Sequence, residues 1–290
     1  MKKILVLGCT GMLGFQVLNK LQELNNTKIY VTYRNKKDVN FINKKKIQLI
    51  KFNAKNPKNL GKYNFDFVIN CIGIIKPYII ENDSDSVLQA ININSIFPWK
   101  LANIFKNKKT KIYQIATDCV FSGIRGDYVE SDIHDCNDVY GKTKSLGEIR
   151  SFNFYNIRCS IIGPEIKNKL SLLEWFKKNP LNQKLNGFKN HSWNGITTKA
   201  FGEVIKTIIK KNITIPNNLH LLPKDKVSKY KLLKIFQLKF KRKDLIINCI
   251  SANQSINRTL KTNHEKINQK IWKHTCYKKI PTINELVMEL

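Results

Sequence analysis

The chain has 290 residues, which at about 150 residues per domain indicates one or two domains with a sizeable core. Apolar residues make up 42% of it, and once its 13 glycines are added the fraction lies in the usual globular range of about 45–50%. Disorder, a coiled coil and a disulfide-rich miniprotein are therefore excluded. The longest apolar stretch, residues 67–75, falls far short of the ~18 residues that a membrane helix needs, so no membrane partner is expected.

The net charge is +30, from 51 Lys and Arg against 21 Asp and Glu, which suggests nucleic-acid binding. Nearly all of these cations are lysines, however, whereas base and phosphate readers prefer the bidentate fork of arginine. Arginine stands only at positions 34, 125, 150, 158, 242 and 258. We therefore expect no nucleic-acid partner and interpret the positive field as one that attracts an anionic substrate.

The seven cysteines are scattered without a C-x-x-C pair, which favours a reducing compartment. The five histidines have no metal-ligand spacing, so we expect no metal and interpret them as surface or loop residues. The apolar start at Ile4 could pass for a signal peptide, but Gly8, Gly11 and Gly14 interrupt it at once. A cytoplasmic location is the resulting expectation.

The first half of the chain alternates apolar runs with helical periodicity. We predict strands at residues 4–7, 28–33, 47–52, 65–71, 111–116 and 155–159, a helix from residue 12, and a long helix over 84–105 that Pro98 should kink. The strands are continuously apolar, as in parallel sheets covered on both faces. The order predicts an α/β fold with a Rossmann-like, doubly wound parallel sheet.

The pattern changes after Gly163, where shorter and more mixed elements follow. Helices are predicted at 170–178, 198–211 and 228–236, with a short strand at 219–222 and a loop with a short strand at 187–198. We assign residues 1–162 to a dinucleotide-binding domain and 163–290 to a smaller substrate-binding domain. The two are interleaved, since the helix at 198–211 is expected to pack back on the first.

A glycine cluster directly follows the first strand and opens the first helix. It reads G-x-x-G-x-x-G from Gly8 through Gly11 to Gly14. Glycines allow a tight turn and close approach of a pyrophosphate, whose charge sits at the helix N-terminus. We predict a dinucleotide site here, with its cofactor-binding residues at Gly8, Thr10, Gly11, Met12 and Leu13.

The end of the second strand bears on the choice of cofactor. An NAD site usually offers a carboxylate there, whereas an NADP site offers Arg to the 2′-phosphate. The chain has Arg34 at this point and no carboxylate until Asp38. This favours NADPH and leaves NADH possible.

A Y-x-x-x-K motif joins Tyr140 to Lys144, and on a helix this spacing places both side chains on one face. An ammonium near a phenol lowers its pKa, so that it can exchange a proton with a carbonyl oxygen. The motif follows the strand that ends before Thr117 and Asp118 by about 20 residues. Hydroxyls at the carboxyl end of a parallel strand lie in the crevice where ligands bind.

Taken together, the motifs resemble those of the extended short-chain dehydrogenase/reductases, and most closely dTDP-4-dehydrorhamnose reductase and its sugar-nucleotide relatives. The resemblance covers residues 1 to about 163 and thins beyond, to residues 190–195, Lys229–Leu233 and Arg258. It rests on the glycine turn, Asn70–Gly73, Asn94 with Pro98, Thr117–Gly123, Tyr140–Lys144 and Arg158–Ser160. At position 119 the chain has a cysteine where the family often has an aromatic residue. This difference concerns which substrate is recognised rather than the chemistry.

The resemblance implies an NADPH-dependent reductase of the C4 keto group of a nucleotide-linked 4-keto-6-deoxyhexose, in deoxysugar or surface-polysaccharide biosynthesis. A homodimer is a further expectation. Tyr140 would donate the proton, Lys144 would hold the nicotinamide ribose and depress the pKa of Tyr140, and Thr117 would bond the carbonyl. Asp118 is a secondary catalytic candidate. Further residues are implied in cofactor binding (Asn53, Cys71, Ile72, Gly73, Tyr140, Lys144) and in substrate binding (Lys76, Arg158, Trp193).

Other functions stay open at this stage. Dehydratases of this fold carry Asp-Glu after the threonine, whereas Cys119 follows Asp118 here, so dehydration is disfavoured. Epimerases need only the Tyr and Lys and are not excluded. A cofactor-binding regulatory subunit, similar to the partner of methionine adenosyltransferase, would keep the fold without turnover. Intact Thr117, Tyr140 and Lys144 argue against that alternative.

Overall fold

The computed structural model describes residues 1–40, 42, 47–167 and 169–290 of the chain. Its strands are β1 (Lys2–Leu7), β2 (Thr27–Tyr33), β3 (Ile47–Lys51), β4 (Phe67–Asn70), β5 (Lys111–Ala116), β6 (Phe154–Arg158), β7 (Ile161–Ile162), β8 (Lys184–Phe188), β9 (His191–Trp193), β10 (Ile196–Thr197), β11 (Asn218–His220), β12 (Val227–Ser228), β13 (Ile246–Ile250) and β14 (Ile256–Asn257). Its α-helices are α1 (Met12–Leu21), α2 (Ser84–Ala90), α3 (Phe97–Phe105), α4 (Val139–Leu146), α5 (Leu172–Lys178), α6 (Thr198–Lys211), α7 (Lys229–Lys239), α8 (Glu265–His274) and α9 (Ile283–Met288).

The central sheet, within the described residues, has seven strands in the order β11-β6-β5-β4-β1-β2-β3. Every neighbouring pair in it is parallel. The order reverses at β1, where β4 lies on one side and β2 on the other, and such a switch point opens a crevice at the carboxyl edge. The predicted Rossmann-like, doubly wound sheet is confirmed.

Helices cover both faces of the sheet, which explains why residues 4–7 of β1 and 67–69 of β4 are continuously apolar. Ile4 and Val6 of β1 face one core, shared with α1 and α6, while Leu5 and Leu7 face the other, shared with α3. All four side chains have no solvent exposure. Alternate residues of one strand are therefore buried on opposite faces, as the period of two requires.

The predicted long helix over residues 84–105 is interrupted ahead of Pro98. A π-helical segment, Ile91–Ile96, joins α2 to α3, and Pro98 lies in the first turn of α3. Proline has no N–H to offer the carbonyl four residues earlier, which is that of Asn94. That carbonyl instead faces Gly147, where an added Cβ would lie 1.9 Å from it. The helix is therefore interrupted by the π segment rather than simply kinked at Pro98.

The second half of the chain contributes to two different cores. Helices α5, α7 and α9 pack in a separate cluster with β8. Helix α6 instead packs on α1, where Gly202 approaches the carbonyl oxygen of Gln16, and α8 joins the same core through Ile271 and Trp272. The boundary at residue 163 therefore remains a prediction, with β11, α6 and α8 lying against the first half. In the part of the chain that the structure describes, none of the helices has the length and apolarity needed to cross a bilayer.

Candidate active site

The carboxyl ends of β1, β4 and β5 meet at one edge of the sheet and bring the predicted motifs together. Gly8 follows β1, Cys71 follows β4 and Thr117 follows β5. A Cβ built on Gly8 would lie 3.2 Å from the backbone of Cys71, so the first two turns are in direct contact. These residues are far apart in the sequence. The parallel pairing of β1 with β4 and of β4 with β5 brings them together.

The structure gives a different geometric reason for having glycine at each of the three positions of the turn. Gly8 has φ +80°, a conformation that side chains disfavour. Gly14 lies against the backbone of Gly8, where an added Cβ would be 2.1 Å from its carbonyl oxygen. Gly11, by contrast, is exposed, and its Cβ would meet only that oxygen, at 3.4 Å. The protein itself thus leaves open space at Gly11, at the N-terminus of α1, which fits the pyrophosphate of a dinucleotide.

The remaining predicted cofactor residues line the same edge of the sheet. Thr10 and Met12 are partly exposed beside Gly11, whereas Leu13 is buried, so only its backbone can face a ligand. Arg34 is exposed directly after β2, and Asn53 is exposed two residues after β3. These two side chains lie at the ends of neighbouring strands, on the β2–β3 side of the glycine turn.

The loop after β4 is held in place by Asn94 of the π segment. The Asn94 side chain accepts from the N–H of Ile74 at 2.8 Å and donates to its carbonyl at 2.9 Å. It also donates to Thr143 Oγ1 of α4, at 3.2 Å. The π segment therefore ties the loop that carries Cys71, Ile72 and Gly73 to the helix that carries Tyr140 and Lys144.

Helix α4 presents Tyr140 and Lys144 toward the end of β5. Asp138 caps the helix by accepting from the N–H of Gly141 at 2.8 Å. Lys144 is 7% exposed and its ammonium donates to the carbonyl of Ile115 at 2.9 Å. Thr117, also 7% exposed, lies close enough to the Tyr140 phenol to lower its pKa. The threonine, tyrosine and lysine are thus gathered at one point.

Burial rather than charge dominates the titration of this cluster. Desolvation raises the pKa of Tyr140, and the nearby Cys119 raises it further. Thr117 opposes these effects and lowers it. Burial likewise lowers the pKa of Lys144 to about 8, against the opposing charge of Glu148. The Lys144 ammonium bonds to the carbonyl of Ile115 and is not among the main causes that shift the pKa of Tyr140, so its expected depressing effect stays a prediction. Because the pKa of Tyr140 is raised, the phenol is protonated at neutral pH.

A chain of polar contacts leads from Asp118 into the second half of the protein. Asp118 is buried, receives a hydrogen bond from Thr117 Oγ1 at 3.3 Å, and contacts Ser160. Trp193 Nε1 donates to the same Ser160 Oγ at 2.8 Å. Desolvation raises the pKa of Asp118, and Arg258 is first among the groups that oppose this. Trp193 is half-buried and is linked to Asp118 through Ser160.

Lys76, predicted to bind substrate, is exposed near the amino end of α4. Its ammonium pairs with Asp138 Oδ2 at 2.9 Å, two residues before Tyr140. Burial tends to raise the pKa of Asp138, but the hydrogen bond from the N–H of Gly141 and the pairing with Lys76 together lower it. Lys76 therefore borders the site while already holding an ionic partner.

Arg158 is not available to a substrate, which corrects the prediction made for it. It is 2% exposed, pairs with Glu148, and donates from Nη1 to His220 Nε2 at 2.6 Å and from Nη2 to His134 Nε2 at 2.8 Å. His220 is fully buried in β11, so it is not the surface or loop residue expected, whereas His134 is half-buried in a loop. Burial lowers the pKa of His220 to about 4, and the positive charge of Arg158 adds to this. The cluster is structural and joins β6 and β11 to the end of α4.

Comparison with known proteins decides the family of this chain. The family described as RmlD substrate binding domain matches residues 1–290. The chain belongs to this family. Among curated relatives of this RmlD-family protein, the spore coat polysaccharide biosynthesis protein SpsK of Bacillus subtilis is 29% identical over 150 residues, 51% of this chain and 47% of SpsK. Methionine adenosyltransferase 2 subunit beta of Bos taurus is 26% identical over 149 residues, 51% of this chain and 42% of that protein. The matched region spans under half the length of both relatives.

Solved structures share the fold of the RmlD-family chain over nearly its whole length. A dTDP-4-dehydrorhamnose reductase from Bacillus anthracis, in complex with NADP, has a TM-score of 0.75 at 16% identity and covers 100% of this chain and 98% of its own. UDP-glucuronic acid 4-epimerase from Bacillus cereus, in complex with NAD, has a TM-score of 0.72 at 15% identity and covers 99% of this chain and 94% of its own. At such identities the likeness establishes the fold alone.

Two cations of the RmlD-family chain at this site were missed as candidates by sequence reasoning. Arg258 and Lys229 were noted only as parts of segments in which the resemblance thins. Arg258 donates from Nε to the carbonyl of Phe121 at 2.8 Å, and both cations act electrostatically on Asp118 or Cys119. The one available signal was the rarity of arginine in a lysine-rich chain, which makes each arginine a candidate for a specific role.

Proposed function

We propose that this protein is a nicotinamide-dependent oxidoreductase that uses NADPH to reduce the C4 keto group of a nucleotide-linked 4-keto-6-deoxyhexose. The observation that carries the proposal is the meeting of Thr117, Tyr140 and Lys144 at the carboxyl edge, beside a glycine turn with open space at Gly11. The family and the NADP-bound fold relative support the same class of chemistry.

The chain's own residues would divide the work as follows. The turn at Gly11 would hold the pyrophosphate, Arg34 would bind the 2′-phosphate, and Lys144 would hold the nicotinamide ribose. The cofactor, when bound, supplies the hydride. Thr117 would hydrogen-bond the substrate oxygen, and Tyr140 would give it a proton as the carbonyl becomes a hydroxyl. A phenol whose pKa is raised by burial is in the protonated form that this step requires.

The protonated state of Tyr140 favours reduction as the first candidate, because the carbonyl oxygen must gain a proton in that reaction. Epimerisation by the same residues is the nearest alternative, and its product would differ from its substrate only in stereochemistry. A regulatory subunit is a further alternative, to which the similarity with methionine adenosyltransferase 2 subunit beta lends weight. The three gathered catalytic side chains favour turnover over this role. We further propose a nucleotide-sugar partner, no nucleic-acid partner, a possible homodimer and a cytoplasmic location.

The test is NADPH oxidation measured against a panel of nucleotide-linked 4-keto sugars. Tyr140→Phe should lower turnover by about 10²–10⁴-fold, the usual contribution of general acid–base catalysis, while NADPH still binds. The matched control is Tyr155→Phe, which removes a hydroxyl at the start of β6, away from the carboxyl edge. If Tyr140→Phe kept more than about half of the wild-type turnover, the loss would fall far short of that ~10²–10⁴-fold range. Tyr140 would then not be the proton donor.

A further inference from the structure

Two neighbouring turns lie at the end of the cluster formed by α5, α7, β8 and β13. Arg242, in the turn between α7 and β13, donates to the carbonyl of Lys177 at 2.9 Å and to that of Asn179 at 2.8 Å, at the end of α5. Strand β13 then runs as the parallel partner of β8. The turn after α5 and the turn after α7 are therefore held side by side. We call the surface that they form, residues 175–184 and 238–246, the distal patch.

Large apolar side chains are exposed on the distal patch. Leu181 is 76% exposed and Leu238 is 67% exposed. Trp175 and Ile246 are exposed as well, although leucine, isoleucine and tryptophan are usually well buried. Side chains with such exposure project from the surface. The patch is therefore convex and offers no groove to a partner.

The distal patch is also strongly basic. Its sequence contains seven Lys and Arg against a single Asp, whereas the whole chain has 51 against 21 acidic residues. The one acid, Asp244, is already paired with Arg242 at 2.8 Å. Lys184, Lys241 and Lys243 are exposed, and none of the described residues supplies a hydrogen-bond or ion-pair partner for their ammonium groups. The positive charge of the chain is thus concentrated and uncompensated here.

The patch lies at the opposite end of α7 from the candidate active site. Helix α7 follows β12, and β12 pairs with β9, the strand that carries Trp193. Trp193 in turn donates to Ser160, which contacts Asp118. Helix α7 has 11 residues and so extends about 16 Å away from this point. A partner bound to the distal patch would leave the crevice at the carboxyl edge open.

Exposed tryptophan and aliphatic side chains among unpaired lysines are the combination that binds an anionic bilayer. The apolar groups enter the headgroup region, where tryptophan is enriched, and the lysines attract the anionic lipids. A deformable bilayer also accepts a convex surface. Nucleic acid fits less well, because phosphate readers prefer the arginine fork, and that of Arg242 is occupied by Asp244 and by backbone carbonyls.

We propose that the distal patch docks this protein peripherally on an anionic phospholipid bilayer, with Leu181 and Leu238 in the headgroup region and the patch lysines at the lipid phosphates. The expectation of no membrane partner was drawn from the short apolar stretches of the sequence, and a peripheral contact needs no spanning segment. The proposal is independent of the proposed reaction. It agrees with the proposed cytoplasmic location, since the cytoplasmic leaflet carries anionic lipids.

The first experiment is co-sedimentation of the full chain with vesicles of phosphatidylglycerol and phosphatidylcholine, and with vesicles of phosphatidylcholine alone. Binding is expected only where phosphatidylglycerol is present, and it should weaken as salt is raised. Lys241→Ala combined with Lys243→Ala should lower the affinity about 25-fold, because each lysine near an anionic surface contributes about fivefold. The matched control, Lys106→Ala with Lys109→Ala, removes the same charge from exposed positions after α3 and should lower the affinity less than about threefold.

The second experiment tests the apolar contact. Leu181→Ala should lower the affinity for the phosphatidylglycerol vesicles about tenfold, because most of the inserted apolar surface of that side chain is lost. Its control is Ile133→Ala, at a position that is 85% exposed in another part of the chain and should bind as wild type. Tryptophan emission should move to shorter wavelength when these vesicles are added. That shift should disappear in Trp175→Phe and persist in Trp99→Phe, which changes an exposed tryptophan of α3.

Circular dichroism checks that every variant folds. Failure of the wild type to bind phosphatidylglycerol vesicles would overturn the proposal. Equal losses in the two double-lysine variants would also overturn it, because binding would then depend on diffuse charge rather than on the patch. Duplex DNA is titrated at the same salt, and DNA binding that requires Lys241 and Lys243 in a chain that binds no vesicles would assign the patch to nucleic acid instead. If no 4-keto sugar is reduced but vesicle binding still depends on the patch, the proposed function fails and this proposal stands.

Discussion

Gly14 and Gly11 occupy the same turn, but the structure predicts opposite consequences for adding one methyl group to each. Gly14→Ala would place its Cβ 2.1 Å from the carbonyl oxygen of Gly8, 2.6 Å from its carbonyl carbon and 3.0 Å from Cys9 Cα. All three neighbours are backbone atoms, which cannot rotate away. Gly11→Ala would meet only the Gly8 oxygen, at 3.4 Å.

The magnitude follows from two opposing effects at Gly14. Alanine in a helix interior is favoured over glycine by up to about 1 kcal/mol. Overpacking typically costs about 1–3 kcal/mol, and a backbone that must move by roughly 1 Å should reach the upper end of that range. The expected net loss in the free energy of unfolding is about 2 kcal/mol. At Gly11 the strain is absent, so we expect a change within about 0.5 kcal/mol, of the size seen where alanine fits the native backbone.

The two variants are compared in parallel assays. Urea denaturation followed by circular dichroism gives the free energy of unfolding, and calorimetric titration gives the affinity for NADPH. Gly14→Ala should lose stability and NADPH affinity together, because Gly8 must shift. Gly11→Ala should keep wild-type stability and lose NADPH affinity about tenfold or more, since its methyl group fills the space for the pyrophosphate.

Two results would refute this reasoning. Wild-type stability in Gly14→Ala would mean that the turn relaxes without cost and that its close backbone contact is unimportant. Undiminished NADPH affinity in a stable Gly11→Ala would mean that no pyrophosphate approaches the turn. The second result would leave residues 8–14 as a structural feature only.

Three further predictions concern single side chains. Arg34→Ala should weaken NADPH binding by about 1.5–3 kcal/mol while NADH changes little, because a charge-assisted contact to phosphate is lost, and equal losses in fluorescence titrations would contradict the role. The pKa of Lys144 is lowered to about 8, so its charged form is present below that pH and lost above it. The affinity of the wild type for NADPH should therefore fall above about pH 8. Lys144→Met should bind NADPH weakly at every pH and show no such dependence. Arg158→Met should destabilise the fold by about 3–5 kcal/mol in urea denaturation, because the buried Glu148 loses its partner, and adding Glu148→Gln should restore part of the loss. Additive losses in that double variant would show that the pair is not coupled.

Local pattern was sufficient for the strands in the first half of the chain and for the glycine turn. The continuous apolar runs of β1, β2 and β4 must be covered on both faces, and the alternation of Ile4 with Leu5 between two cores is the physical form of that requirement. The Y-x-x-x-K spacing likewise determines that Tyr140 and Lys144 share a helix face. Such features depend on neighbours in the chain, so the sequence alone was enough to predict them.

Tertiary structure decided what lies next to these elements. Arg158 and His220 looked like available polar residues, but the pairing of β6 with β11 buries them in one cluster with Glu148. The pKa of Tyr140 depends on its burial, and the Lys144 ammonium bonds to the carbonyl of Ile115; the motif contains neither fact. Arg258 lies about 140 residues from Thr117 in the chain, and only the packing of the C-terminal segment on the loop after β5 brings it to the site. Local rules operate over a few residues, whereas charge, burial and contact in a folded protein are set by residues that are distant in sequence.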